Sequence, residues 1–132
     1  MNGVSGKVTF EVADAFARLR SLKDEGRRFG TIVLDPPAFV KSKKNLNDAF
    51  KGYLTVNRRA MELLDEGGCL VTCSCSYHLG REQFRELLTT AARQAGQKMC
   101  IVATGYQSPD HPVLLAVPET EYLKCFVLKK LS

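Results

Sequence analysis

Two short apolar runs that each stop on a polar tip constrain the fold of this chain more than any other feature. Thr31-Ile32-Val33-Leu34 ends at Asp35-Pro36-Pro37, and Cys69-Leu70-Val71-Thr72-Cys73 gives way to Ser74-Cys75-Ser76. Runs this short and this apolar read as strands buried on both faces. Proline cannot donate to a sheet ladder and pushes the residue before it out of helical geometry, so the chain must leave the sheet at Asp35. Between the two runs Ala49, Tyr53, Val56, Ala60 and Leu63 recur at alternating steps of four and three, and Gly67-Gly68 closes the pattern. That spacing predicts a helix. A strand, a helix and a strand form the unit of a parallel sheet, whose crossovers are long and right-handed.

The rest of the chain extends this alternation. Val8, Phe10 and Val12 alternate with Thr9 and Glu11 as in a strand with one buried face. A short helix is expected next, capped by Asp14, carrying Phe16, Leu19 and Leu22 on one side and ending at Gly26. Phe84, Leu87, Leu88, Ala91 and Ala95 define a third helix that ends at Gly96, followed by a strand at Met99–Ala103. A Pro-rich loop leads to a last strand over Tyr122–Leu128, which has no helical pattern before it and is expected to run antiparallel. The prediction is an α/β fold: a mostly parallel sheet with a last antiparallel strand and helices on both faces.

With 132 residues and 45% hydrophobic content, one domain over 1–132 can bury roughly two thirds of its unfolded surface. No apolar run approaches the ~18 residues that span a bilayer, and the first residues lack the basic and apolar blocks of a signal peptide. The five cysteines are an odd number, and four lie in apolar runs, which points to reduced thiols and a cytoplasmic setting. Cys73, Cys75 and His78 match no common zinc spacing, so no metal is expected. The net charge of +5 is concentrated in Arg27-Arg28, Lys41-Ser42-Lys43-Lys44, Arg58-Arg59 and Lys129-Lys130. These clusters suit either phosphate neutralisation or an ordinary solvated face.

In open α/β sheets ligands collect beyond the carboxyl ends of the strands, where Asp35 and Cys75 are both expected. On neighbouring strands their backbones would lie about 5 Å apart, and both side chains could address one planar ligand. Taken singly, Asp35 also reads as a turn residue and Cys75 as a small buried hydrophobe.

The segments Leu34-Asp35-Pro36-Pro37-Ala38-Phe39, Lys41-Ser42-Lys43-Lys44, Gly52-Tyr53 and Gly67 to Ser76 recur in that order in a known family, followed by Asp110-His111-Pro112, Pro118-Glu119 and Tyr122-Leu123-Lys124. In these the chain resembles the bacterial 23S ribosomal RNA cytosine-C5 methyltransferases, with a partial Rossmann-like class I methyltransferase fold. The resemblance implies Cys75 as the nucleophile that adds to carbon 6 of cytosine, and Asp35 as the carboxyl group at the ring nitrogen. It further implies S-adenosyl-L-methionine as cofactor, contacted by Asp14, Asp35 and Pro36. Ribosomal RNA would be the partner, met by Pro37, Phe39, Lys41, Lys43 and Lys44.

The family's glycine-rich turn after the first strand, and its acidic residue after the second, have no counterpart here. The family's strands run third, second, first, fourth, fifth, seventh, sixth, so this chain is expected to start just before the third. That strand would lack its partner, an exposed edge would favour a homodimer, and the isolated chain would bind cofactor poorly and turn over little. Two other readings use the same residues. Asp-Pro-Pro also serves methyltransferases that modify an amino nitrogen without a cysteine, and a non-catalytic remnant could bind RNA or a partner chain through the basic loop.

Overall fold

The chain is described from a computed structural model covering Gly3, Val4, residues 6–39 and residues 46–132. Lys41, Lys43 and Lys44, the expected phosphate contacts, lie outside the described residues.

The apolar run Thr31–Leu34 lies in a sheet strand as expected, but it is not buried on both faces: Ile32 and Leu34 are half-buried on one side, whereas Thr31 and Val33 are exposed on the other. In chain order the elements are α1 (Ala15–Asp24), β1 (Phe29–Leu34), α2 (Leu46–Glu62), β2 (Leu64–Ser74), α3 (Arg81–Ala95), β3 (Lys98–Gly105) and β4 (Lys124–Leu131). The sheet order is β1-β2-β4-β3. β1 and β2 are parallel, with Leu34 opposite Thr72. β4 inserts antiparallel between β2 and β3, with Thr72 opposite Phe126 and Thr104 opposite Phe126 on its other side. This is the sequence fourth, fifth, seventh, sixth that the resemblance implied, and the last strand is the antiparallel one.

The core lies between one face of this sheet and helices α2 and α3. Tyr53, Ala60 and Met61 of α2 and Phe84, Leu87 and Ala91 of α3 are fully buried against Leu70, Phe126 and Leu128 of the sheet. Each large side chain so buried contributes about 1.5–3 kcal/mol. The period-two alternation then decides the other face. Val71, Cys73, Cys125 and Val127 are only half-buried there, and Val33 is 68% exposed. The sheet was expected to carry helices on both faces; among the described residues they cover one.

Asp14 caps α1 as expected, its Oδ1 accepting the Ala17 N–H at 2.9 Å. Gly96 ends α3 in the left-handed conformation at φ 67°. The predicted strand at Val8–Val12 is not formed: residues 8–14 belong to no element, and Phe10 is 91% exposed. The alternation supplies an apolar face, but a strand also needs a neighbour's ladder, and none of the described strands pairs with this one. Gly67-Gly68 is also placed differently. It does not cap α2 but lies within β2, where the pairing with β1 slips between Phe29 and Thr31. A Cβ at Gly68 would meet the Asp65 carbonyl at 2.9 Å and that of Gly30 at 3.1 Å, so the strands close up here only on glycine.

Candidate active site

Asp35 follows the last residue of β1, and Cys75 follows the last residue of β2. Because the two strands are parallel neighbours and Leu34 stands opposite Thr72, both residues emerge at the same rim of the sheet. Asp35 is exposed and Cys75 half-buried.

The two tips are joined by one buried phenol. Tyr53 of α2 has no solvent exposure, and its hydroxyl reaches the first tip by accepting from the Phe39 N–H at 3.3 Å and donating to the Pro37 carbonyl at 3.5 Å. It also shares a hydrogen bond with the side chain of Ser74, at the second tip. Burial holds this phenol above its ordinary pKa, against the opposing hydrogen bonds from Ser74 and Phe39, and negative charge on Cys75 or Asp35 adds to the rise. Both candidate residues therefore act electrostatically on the same hydroxyl. Below Tyr53, Asn57 donates to its carbonyl at 2.8 Å and accepts from the Thr72 hydroxyl at 2.5 Å, fixing α2 to β2.

Phe39 is wedged between Phe16 and Tyr53, with ring centroids 5.8 and 4.7 Å away. A Cβ at Gly52 would meet the Phe39 ring at 3.6 Å, ordinary van der Waals contact, so Gly52 lies against this aromatic cluster. Packing thus engages the ring expected to stack on a base. Pro36 is half-buried and Pro37 exposed beside Asp35. Asp14 is exposed, and capping occupies one of its two carboxylate oxygens.

The second tip is a turn. The Ser76 N–H donates to Ser74 Oγ at 3.4 Å, the Leu79 N–H donates to the Ser76 carbonyl at 3.3 Å, and the chain then enters α3. Lys124 of β4, paired with Ser74, sends its Nζ to the Ser76 carbonyl. This lysine is 6% exposed, and burial, reinforced by Arg81, brings its pKa down to about 8; the opposing pull of Cys75 and Glu121 is smaller. Arg81 donates to the Gly105 carbonyl at 3.2 Å and lies over the Tyr106 ring at 4.1 Å.

The two neighbouring thiols differ in setting. Cys73 sits inside β2 opposite Cys125, and burial, then its hydrogen bond to Cys125, pushes it up to about 12. It is held as a neutral thiol, whereas Cys75 stands outside the strand in the turn. No group of three or more metal-ligating side chains occurs among the described residues. No described helix is long and apolar enough to cross a membrane.

Tyr53, Asn57, Lys124 and Arg81 were not singled out from the sequence as parts of a site. Lys124 carried a usable signal: it shares the period-two face of Phe126 and Leu128, where a charge is out of place.

No family model matches the chain. It is 41% identical to ribosomal RNA large subunit methyltransferase I of Shewanella denitrificans, over 98% of this chain and 33% of that protein. The protein of the same name from Vibrio cholerae is 41% identical over 95% of this chain and 32% of its own length. The chain thus spans about a third of the length of the curated relatives it matches. A SAM-dependent methyltransferase structure from Streptococcus mutans superposes on 89% of this chain and 30% of its own, with TM-score 0.74 and 24% identity. A methyltransferase homologue from Pyrococcus horikoshii superposes on 94% of this chain and 45% of its own, with TM-score 0.55 and 19% identity. The chain accordingly has the Rossmann-like fold of the SAM-dependent methyltransferases, and it is homologous along nearly its whole length to a third of ribosomal RNA large subunit methyltransferase I.

Proposed function

We propose that this chain is the catalytic third of an S-adenosylmethionine-dependent RNA methyltransferase that modifies carbon 5 of a cytosine in ribosomal RNA. The observation that carries the reading is the shared rim: a carboxylate and a thiol at the ends of adjacent parallel strands, bolted together by Tyr53.

Carbon 5 of cytosine is a poor nucleophile. Addition of the Cys75 thiolate to carbon 6 forms a C–S bond, and the displaced π-electrons make carbon 5 enamine-like while negative charge builds toward the ring nitrogen. The Asp35 carboxyl group, at the same rim, is placed to meet that nitrogen as it takes up a proton or hydrogen bond. The bound cofactor supplies an electrophilic methyl group. After methylation, loss of the carbon-5 proton to a base returns the electrons to the ring and expels the thiolate. Asp35 and Pro36, open at the rim, are suited to contact the cofactor, and Asp14 can do so through the oxygen not used in capping. Pro37 and the lysines Lys41, Lys43 and Lys44 are the proposed RNA contacts, the lysines by the affinity of their charge for phosphate. Cys75 is preferred to Cys73 because the latter is kept protonated inside the sheet.

The test uses RNA containing 5-azacytosine, whose carbon 6 takes up a thiolate without any methyl donor. A covalent protein–RNA adduct is expected on denaturing gels, lost in Cys75→Ala and kept in Cys73→Ala. An adduct that survives Cys75→Ala would sink the assignment, and methylation of an amino nitrogen with no adduct would replace it.

A further inference from the structure

The buried lysine beside the second tip has no role in the chemistry so far. Lys124 is one of the few charged side chains of the described chain that is almost fully buried, and no described carboxylate pairs with it. A buried ammonium without a counter-ion is costly, so something at this place must compensate it. Its register is instructive. Lys124 stands directly opposite Ser74, the last residue of β2, and its Nζ donates to the carbonyl of Ser76, so the ammonium spans the residue between them. That residue is Cys75.

We propose that Lys124 is a positioning residue that holds the Ser74–Ser76 turn in place and supplies the positive charge that keeps the Cys75 sulfur as a thiolate. The proposal rests on the reading of Cys75 as nucleophile for its purpose, though not for its test. The physical logic is mutual. A thiolate is the missing counter-ion for the lysine, and the lysine favours the thiolate over the thiol. The smaller electrostatic effects agree: negative charge on Cys75 raises the Lys124 pKa, while burial and Arg81 lower it. The other groups around the pair are Asp35 beyond β1, Tyr53 of α2, Cys73 of β2, Arg81 of α3, and Glu121 and Cys125 before and in β4.

The experiment needs neither RNA nor cofactor. Alkylation of Cys75 by iodoacetamide is followed against pH by peptide mass spectrometry, in the wild-type chain, Lys124→Met and Lys124→Arg. The Met variant should shift the midpoint upward by about one pH unit, roughly a tenfold slower reaction near neutrality, and Arg should restore most of it. A turn that merely loosened would instead react faster at every pH. Either that outcome or an unmoved midpoint overturns the proposal. Should the Met variant fail to fold, the reciprocal measurement decides: Cys75→Ser removes the anion, so the Lys124 amine, read by competitive acetylation, should titrate lower. An unchanged lysine midpoint overturns the coupling. A shifted thiol profile together with no 5-azacytosine adduct would retain the pair and reject only the reading of the reaction.

Discussion

Cys73 and Lys124 lie on adjacent strands, and the same burial drives them in opposite directions. Taking a group out of water disfavours its charged form, so the thiol is pushed up to about 12 while the ammonium comes down to about 8. The lysine's ordinary value is 10.5. Below pH 8 it is charged whether the chain is folded or not, and its burial costs stability at full strength. Between about 8 and 10.5 the unfolded chain binds the extra proton, so unfolding free energy rises with pH through this group. Wild-type protein should therefore gain stability on Lys124→Met as pH is raised across this window, at no more than about 1.4 kcal/mol per pH unit, the limit for one proton. Cys73 pulls the other way from about pH 9 upward, but it does so in both proteins and cancels in the difference, and making the comparison in a Cys75→Ser background removes the thiol that Lys124 is proposed to govern. Urea unfolding at several pH values measures the difference directly, and a gap that stays flat or narrows would show that Lys124 keeps its proton.

At the level of elements, α2 does more than cover the sheet. Its fully buried Asn57 takes the Thr72 hydroxyl of β2 and gives to the Tyr53 carbonyl, linking the strand next to the site with the residue that joins the tips. Replacing Asn57 by Leu leaves the Thr72 hydroxyl without a partner in the core and should cost about 1–3 kcal/mol. Adding Thr72→Val should recover part of the loss. Denaturant midpoints for the two single variants and the double one check this, and simple additivity would mean the pair is not coupled. α2 was legible in the sequence because its apolar stripe repeats over several turns, and β1 and β2 because each run ends on residues that cannot stay in a sheet. Val8–Val12 was read as a strand that would be loose without its partner, and it forms no strand, because alternation specifies a face and does not supply a neighbour. The antiparallel course of β4 followed from the missing crossover helix, yet its insertion between β2 and β3 came only from the resemblance. Asp35 and Cys75 could be named because they interrupt a pattern. Tyr53 could not, since a buried tyrosine on an apolar stripe looks like core until its hydroxyl is seen to meet both tips.

For the molecule as a whole, the uneven covering of the sheet matters most. One face is packed under α2 and α3, while the other presents Val33, Val71 and Val127 beside Cys73 and Cys125, with Val33 the most exposed of them. β1 is also the edge strand of the described sheet, pairing with β2 alone. An edge with an apolar neighbour face invites pairing with another chain, and no lysine or proline within β1 blunts it. We therefore expect this chain to self-associate through β1. Val33→Lys places a charge where the side chain already meets solvent, so it should change stability by no more than about 0.5 kcal/mol while weakening association. Val102→Lys, on the opposite edge strand β3 and 53% exposed in the wild type, serves as the control. Sedimentation velocity over a concentration series separates the cases: loss of the dimer in the Val33 variant alone assigns the contact to β1, whereas a wild-type chain that stays monomeric throughout would show that the open edge is not used.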